Sequence, residues 1–213
     1  MITLKTFVFN PFQENTYALN DESKECIIVD PGMNSPAEQE ELIRYIEKNN
    51  LLPKAIVNTH CHVDHILGCQ YLVKKYNIPF YANKLEIPLI ETAIQFGEFF
   101  GLEIEQPPMP DHYLTENNNY NFGNSSFQVF HVPGHSEGSV ALYSKEDKLV
   151  ITGDVLFYGS IGRTDLPGGN YNTLINSIRQ KLMMLPKDVD VYPGHGPKTT
   201  IQNEYDTNPF LTR

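Results

Sequence analysis

The chain of 213 residues is 40% apolar and 20% charged, a balance that supports a packed core and excludes a disordered chain. A formal net charge of -10 with no basic run argues against a nucleic-acid partner. Cys26, Cys61 and Cys69 are too few and too scattered for a disulfide framework.

Residues 1–6 lack the pattern of a signal peptide, and no stretch approaches the roughly 18 apolar residues of a membrane span. A cytoplasmic protein without membrane contact is therefore expected. No repeat, linker or low-complexity tract divides the chain, so residues 1–213 are expected to form a single domain.

Strand-like runs open the chain at residues 2–9, 16–19 and 26–30, and Pro31-Gly32 then forces a turn. Ser35-Pro36-Ala37-Glu38 reads as a capping box with proline at the first helical position. Leu42, Ile43 and Ile46 give that helix its apolar stripe, and Asn49-Asn50 its stop. A short strand at 55–58 leads into a histidine cluster. Ile66, Cys69, Leu72, Val73 and Tyr76 then recur at helical spacing. A helix is expected over about 85–100, followed by a proline-rich loop at 106–111. Strands follow at 126–132, 140–144 and 149–152, then a helix over 171–185, a strand at 189–192 and an irregular end at 208–210. Strands mixed with single helices in both halves predict an α/β layered sandwich.

One local pattern occurs four times. An apolar strand ends in a turn, and a His or Asp follows: His60, His135, Asp154 and His195. Buried strands hold their ends rigidly, and the glycines at 134, 153 and 194 let backbone and ligand crowd together. In the run His60-Cys61-His62-Val63-Asp64-His65, the first two histidines lie two apart and point the same way on an extended loop. Asp64 and His65 follow at a helix entrance, where a carboxylate is favoured. Neutral imidazole and carboxylate suit zinc, and iron or manganese by the same borderline chemistry. The candidate metal ligands are thus His60, His62, Asp64, His65, His135, Asp154 and His195.

Other tempting residues read as structural. Alternation points the Cys61 sulfur away from the histidines beside it, and Cys69 falls on an apolar helix stripe. His112 and His131 lie outside the recurring pattern. Pro167-Gly168-Gly169-Asn170 lacks the Lys-Ser/Thr of a phosphate loop and reads as a turn before a helix.

At these residues the sequence resembles the metallo-β-lactamase-fold hydrolases. Thr59-His60-Cys61-His62-Val63-Asp64-His65 is similar to the family's T-H-x-H-x-D-H element, and Pro133-Gly134-His135, Gly153-Asp154 and Gly194-His195-Gly196 resemble its later motifs, in order. The resemblance covers nearly the whole chain, including Asn10 to Tyr17. It implies a four-layer αβ/βα sandwich and two metal ions, with zinc expected. His60, His62 and His135 would hold one, Asp64, His65 and His195 the other, and Asp154 would bridge them. It also implies ions about 3.5–4 Å apart and a metal-bound hydroxide that attacks a carbonyl carbon, with Asp64 and Asp154 as catalytic carboxylates.

The segment Gly159-Ser160-Ile161-Gly162-Arg163-Thr164-Asp165 resembles that of short bacterial glyoxalase II (hydroxyacylglutathione hydrolase)-like proteins, which implies a small thioester substrate such as S-lactoylglutathione. The basic C-terminal helical domain of longer members has no counterpart here, and their tyrosine near position 165 is absent. Arg163 would bind the thiol substrate or brace its loop through Asp165; both remain open. Iron-dependent persulfide dioxygenases share the Thr-His-Cys-His-x-Asp-His run and are one alternative. Others are a lactone or phosphodiester hydrolase of the same fold and a binding module that has kept the fold.

Overall fold

The computed structural model describes residues 1–116 and 118–212, and it places two six-stranded sheets face to face. The first sheet contains β1 (Thr3–Phe9), β2 (Glu14–Asn20), β3 (Glu25–Val29), β4 (Leu52–Val57), β5 (Phe80–Ala82) and β6 (His112–Tyr113), in that spatial order. Its first three strands pair antiparallel, and β3 through β6 run parallel. The second half supplies β7 (Asn119–Phe122), β8 (Ser125–His131), β9 (Val140–Ser144) and β10 (Leu149–Gly153). The hairpin β11 (Leu156–Phe157) and β12 (Ser160–Ile161) follows, then β13 (Asp190–Pro193) and β14 (Thr199–Thr200). The second sheet runs β14-β13-β10-β9-β8-β7.

Strict side-chain alternation creates four layers. On β3 and β4, Ile27, Val29 and Val57 face Val140, Leu142 and Ile151 of the second sheet. Their neighbours Cys26, Ile28 and Ile56 turn outward, onto Leu42 and Ile46 of α1 (Pro36–Lys48) and Leu72 of α3 (Cys69–Tyr76). Ala141, Tyr143 and Val150 likewise face Leu174 of α6 (Tyr171–Ser177) and Ile201 of α7 (Ile201–Thr207). Central strands covered on both faces read as continuous apolar runs, which explains Cys26-Ile27-Ile28-Val29. Each such side chain, fully buried, stabilises the fold by about 1.5–3 kcal/mol relative to exposure.

The capping box at the start of α1 forms as the sequence predicts, with Ser35 Oγ accepting from Glu38 N at 3.3 Å and Glu38 Oε2 from Ser35 N at 2.9 Å. The single helix expected over 85–100 is instead a 3-10 turn followed by α4 (Ile87–Glu91) and α5 (Ala93–Phe99). Pro88 cannot donate a backbone hydrogen bond, so it sits at the start of a new helix. Thr92 then breaks the run by turning its hydroxyl back to the Pro88 carbonyl at 2.8 Å. The helix expected over 171–185 is α-helical to Ser177 and continues as a π-type turn over Ile178–Leu182. Short β5, β6, β7 and β14, and α7 near the end, were not expected from the sequence.

Candidate metal centre

Strand direction brings the seven candidate residues to one edge. β8 and β10 are both antiparallel to β9, and β13 is parallel to β10, so β8, β10 and β13 end on the same side. His135, Asp154 and His195 follow those three ends. From the other sheet, β4 leads to His60, and His62 caps α2 (Val63–Ile66), which carries Asp64 and His65. The two edges are stitched together by backbone. Val140 N donates to Thr59 O at 2.8 Å, and Asn15 N to Gly194 O at 2.7 Å. Asn15 Nδ2 reaches the carbonyls of Pro193 and Gly196, and the Tyr17 hydroxyl donates to Pro193 O at 2.6 Å.

Three groups of possible donors result among the described residues: His60, His62 and His135; Asp64, His65 and His195; and Asp30, His60 and His65, which overlaps the other two. Asp154 lies between the first two. Its Oδ1 is 3.4 Å from His65 Nε2, and its Oδ2 is 3.6 Å from His135 Nε2 and 3.5 Å from His195 Nε2. Asp64 Oδ2 lies 3.1 Å from His195 Nε2 and 3.7 Å from His65 Nε2. His62 Nδ1 and His135 Nε2 face each other at 2.7 Å.

The outer nitrogens set the tautomers. His60 Nδ1 meets Thr59 Oγ1 at 3.2 Å, and that hydroxyl is itself committed to Asp30. His65 Nδ1 meets Asp30 Oδ2 at 3.2 Å, His135 Nδ1 the Arg163 carbonyl at 2.8 Å, and His195 Nδ1 the Phe12 carbonyl at 3.1 Å. An acceptor at Nδ1 keeps the proton there and leaves the Nε2 lone pair facing inward. Nε2 of His60 and His65 and Oδ1 of Asp154 are buried without a hydrogen-bond partner. Buried lone pairs with no donor between them fit a cation, and imidazole with carboxylate is the donor set of zinc, iron or manganese.

Electrostatics divide the site. Burial lowers His65 and His195, but the facing Asp64 and Asp154 carboxylates outweigh it and raise both, His65 well above the usual histidine range, so a bound cation would displace a proton from each. Burial and the neighbouring imidazoles push His60 well below the usual histidine range, and burial with His135 brings His62 down to about 3. Both stay neutral. Burial alone would raise Asp64 and Asp154, but the facing histidines outweigh it and keep both carboxylates ionised. A glycine is required beside them: a Cβ on Gly194 would fall 2.1 Å from Asp154 Oδ1. Gly153, at φ +50°, permits the reverse turn that aims Asp154 inward.

Arg163 lines the cavity above this cluster, and its guanidinium forms a bidentate pair with Asp165 at 2.7 and 2.9 Å. The loop-bracing geometry is therefore present. Cys61 and Cys69 pack in the outer core, His131 Nε2 meets the Glu137 carbonyl, and the His112 ring lies against Tyr81.

Two residues were missed by sequence reasoning. Asp30 also ends an apolar strand at a Pro-Gly turn, but it stands before that turn, where His135 and His195 stand after theirs. Glu86, fully buried, accepts from Cys61 N at 2.6 Å, Ser136 Oγ at 2.7 Å and Gly138 N at 2.7 Å. It thus ties together the loops that carry His60, His62 and His135, and nothing in its sequence surroundings signals this.

The family model described as the metallo-beta-lactamase superfamily matches residues 9–195. The probable metallo-hydrolase YqgX of Bacillus subtilis is 41% identical over 203 residues, spanning 94% of this chain and 93% of the relative. The hydroxyacylglutathione hydrolase GloC of Haemophilus influenzae is 37% identical over 202 residues, spanning 94% and 93%. Among solved structures, BLEG-1 B3 metallo-beta-lactamase superposes with a TM-score of 0.90 at 38% identity, covering 99% of this chain and all 100% of that one. TTHA1623 in a di-iron-bound form gives 0.88 at 40% identity, covering 97% and 100%.

Proposed function

This chain belongs to the metallo-beta-lactamase superfamily, and from that premise we propose that it is a two-metal hydrolase of thioesters, with S-lactoylglutathione the first substrate to test. The observation that carries the proposal is the place of Asp154, whose two oxygens face His65 on one side and His135 and His195 on the other. His60, His62 and His135 would hold one ion, Asp64, His65 and His195 a second, and Asp154 would serve both. Zinc is the expected metal; the di-iron form of TTHA1623 supports iron as its competitor.

Bound there, the ions supply Lewis acidity for an acyl carbonyl and lower the pKa of water toward about 7. The protein's own part is positioning. Asp30, Thr59 and the carbonyls of Arg163 and Phe12 fix the imidazole rings. Asp64 and Asp154, kept ionised at the cavity floor, are placed to accept a proton from attacking water. The relative GloC supports the thioester reading by its name.

The test is hydrolysis of S-lactoylglutathione and other thioesters by purified protein of measured metal content. Turnover of about 10 per second, ordinary for enzymes, that is lost in Asp154→Ala would support the reading. No turnover of any thioester with both positions filled would overturn it.

A further inference from the structure

The cavity over the cluster, about 430 Å³, is of ordinary small-ligand size, and its walls are chemically one-sided. Leu89, Ala93, Phe96 and Phe100 recur at spacings of four, three and four, so they share one face of the α4–α5 segment despite its break at Thr92. That face is turned to the cavity, while Ile90 anchors the segment in the outer core. The aromatic wall continues around the mouth. Phe12 meets Phe100 edge-on at 5.3 Å between ring centres, and Phe157 meets the His195 ring at 6.3 Å. An apolar surface therefore reaches from the mouth to the candidate ligands themselves.

Charge is placed differently. Arg163 is the only lysine or arginine among the described lining residues, and its guanidinium is paired with Asp165 in bidentate fashion. The chain as a whole carries -10. A thiol carrier rich in carboxylates or phosphates finds no lysine or arginine among the described lining residues that is not already paired. An apolar group finds a preformed wall, and Phe100 at its rim is left 44% exposed.

We propose that the Phe12–Phe96–Phe100 wall binds the acyl part of the substrate and selects thioesters of apolar acids, aliphatic chains of about six carbons or arylalkyl groups, over short hydroxyacyl ones. This rests on the thioester reading above. In the reaction, water oxygen bonds to the acyl carbon and the carbon–sulfur bond breaks. The thiol leaves with one proton, and the acid sheds the other at neutral pH.

The experiment uses acyl thioesters of N-acetylcysteamine, a neutral thiol, from acetyl to octanoyl, beside S-lactoylglutathione, on protein with measured metal content. Full burial of a methylene corresponds to about a fourfold gain. kcat/KM is therefore expected to rise about fourfold per carbon, on the order of a hundredfold from acetyl to hexanoyl, and to level off as the cavity fills. In Phe96→Ala and Phe100→Ala the hexanoyl-to-acetyl ratio is expected to fall at least about tenfold, the lower bound for a lost apolar contact. A flat or falling series, or S-lactoylglutathione outrunning hexanoyl, overturns the inference and leaves the thioesterase reading standing.

Calorimetry of S-alkyl-N-acetylcysteamine thioethers, which cannot be hydrolysed, judges the wall without turnover. Tighter binding with each carbon and a negative heat-capacity change, in metal-free protein, support it. Binding that ignores chain length overturns it. If no thioester is cleaved while the thioethers bind as expected, the proposed reaction fails and the apolar site survives.

Discussion

Asp30 Oδ2 lies 3.2 Å from His65 Nδ1, and the same carboxylate accepts hydrogen bonds from the backbone and hydroxyl of Thr59. One buried side chain therefore holds His65 directly and His60 through Thr59. Asp30→Ala would strand three buried donors, each costing about 1–3 kcal/mol. We expect a loss of about 3 kcal/mol in chemical denaturation and metal affinity lower by roughly 10–100-fold, as for other groups that orient metal-binding imidazoles. Competition against a chromogenic chelator measures the second effect, and unchanged affinity would remove Asp30 from this role.

Glu86 gives a prediction about one half of the centre only. Burial pushes its carboxyl up, and three donors from the two loops hold it. Glutamine keeps the shape but turns an N–H₂ group toward one of those donors. Glu86→Gln is expected to cost about 1–3 kcal/mol of stability. Its further effect should fall on the ion held by His60, His62 and His135 rather than on the other. Stepwise metal titration separates the two, and equal weakening of both would sink the idea that Glu86 ties these loops for binding.

Gly194→Ala tests how closely the backbone must approach. The added carbon would lie 2.1 Å from Asp154 Oδ1 and 2.8 Å from His65 Cε1, so the carboxylate has to move. A displacement of about 1 Å can cost a hundredfold in rate. The variant is expected to keep its circular dichroism while losing metal stoichiometry and at least that much turnover. Full metal content would show that Asp154 has room that the structure does not give it.

Metal removal should be visible without any substrate. Ions that bind the native chain and not the unfolded one stabilise it by about 2.7 kcal/mol at a hundred times the dissociation constant. For a chain of this size each kcal/mol shifts Tm by about 2–4 °C. Chelation is thus expected to lower Tm by about 5–10 °C, with recovery on adding zinc. A Tm indifferent to chelator would mean that the buried Nε2 atoms are satisfied some other way.

The layers and four of the seven clustered side chains, His60, His135, Asp154 and His195, were legible from local signals: strand runs mixed with single helices, and a polar residue just past a strand end. Asp64 and His65 were read from the helix entrance. His62 was legible too, from its two-residue offset to His60. What stayed hidden depends on distant partners. Glu86 shows no sign in its own segment, since its three donors lie 25 to 52 positions away. The two-residue β6 and β14 carry no periodicity long enough to read. The broken helix at Thr92 was in principle visible in Pro88, where helical spacing continued across a residue that cannot donate. Asp30 stands before its Pro-Gly turn rather than after it, in a strand whose apolar run read as core alone.

Asp21 stands at the opposite end of the strands, and its effect is on stability. Burial would raise its carboxyl, but it accepts from Ser23 N at 2.9 Å, from the Ser23 and Ser125 hydroxyls, and from Asn124 N at 2.7 Å, and the outcome is a lowered pKa. It thereby fastens the β2–β3 turn to the β7–β8 turn, one from each sheet. A carboxyl more acidic folded than unfolded contributes stability that is fully present above the unfolded value of about 3.9 and is lost as pH falls through the folded value. Between pH 5 and pH 3 the wild type should therefore lose more stability than Asp21→Asn, whose amide does not titrate. Urea midpoints at pH 7, 5 and 3 measure this. Parallel decline of the two proteins would show that Asp21 is held equally well with its proton on.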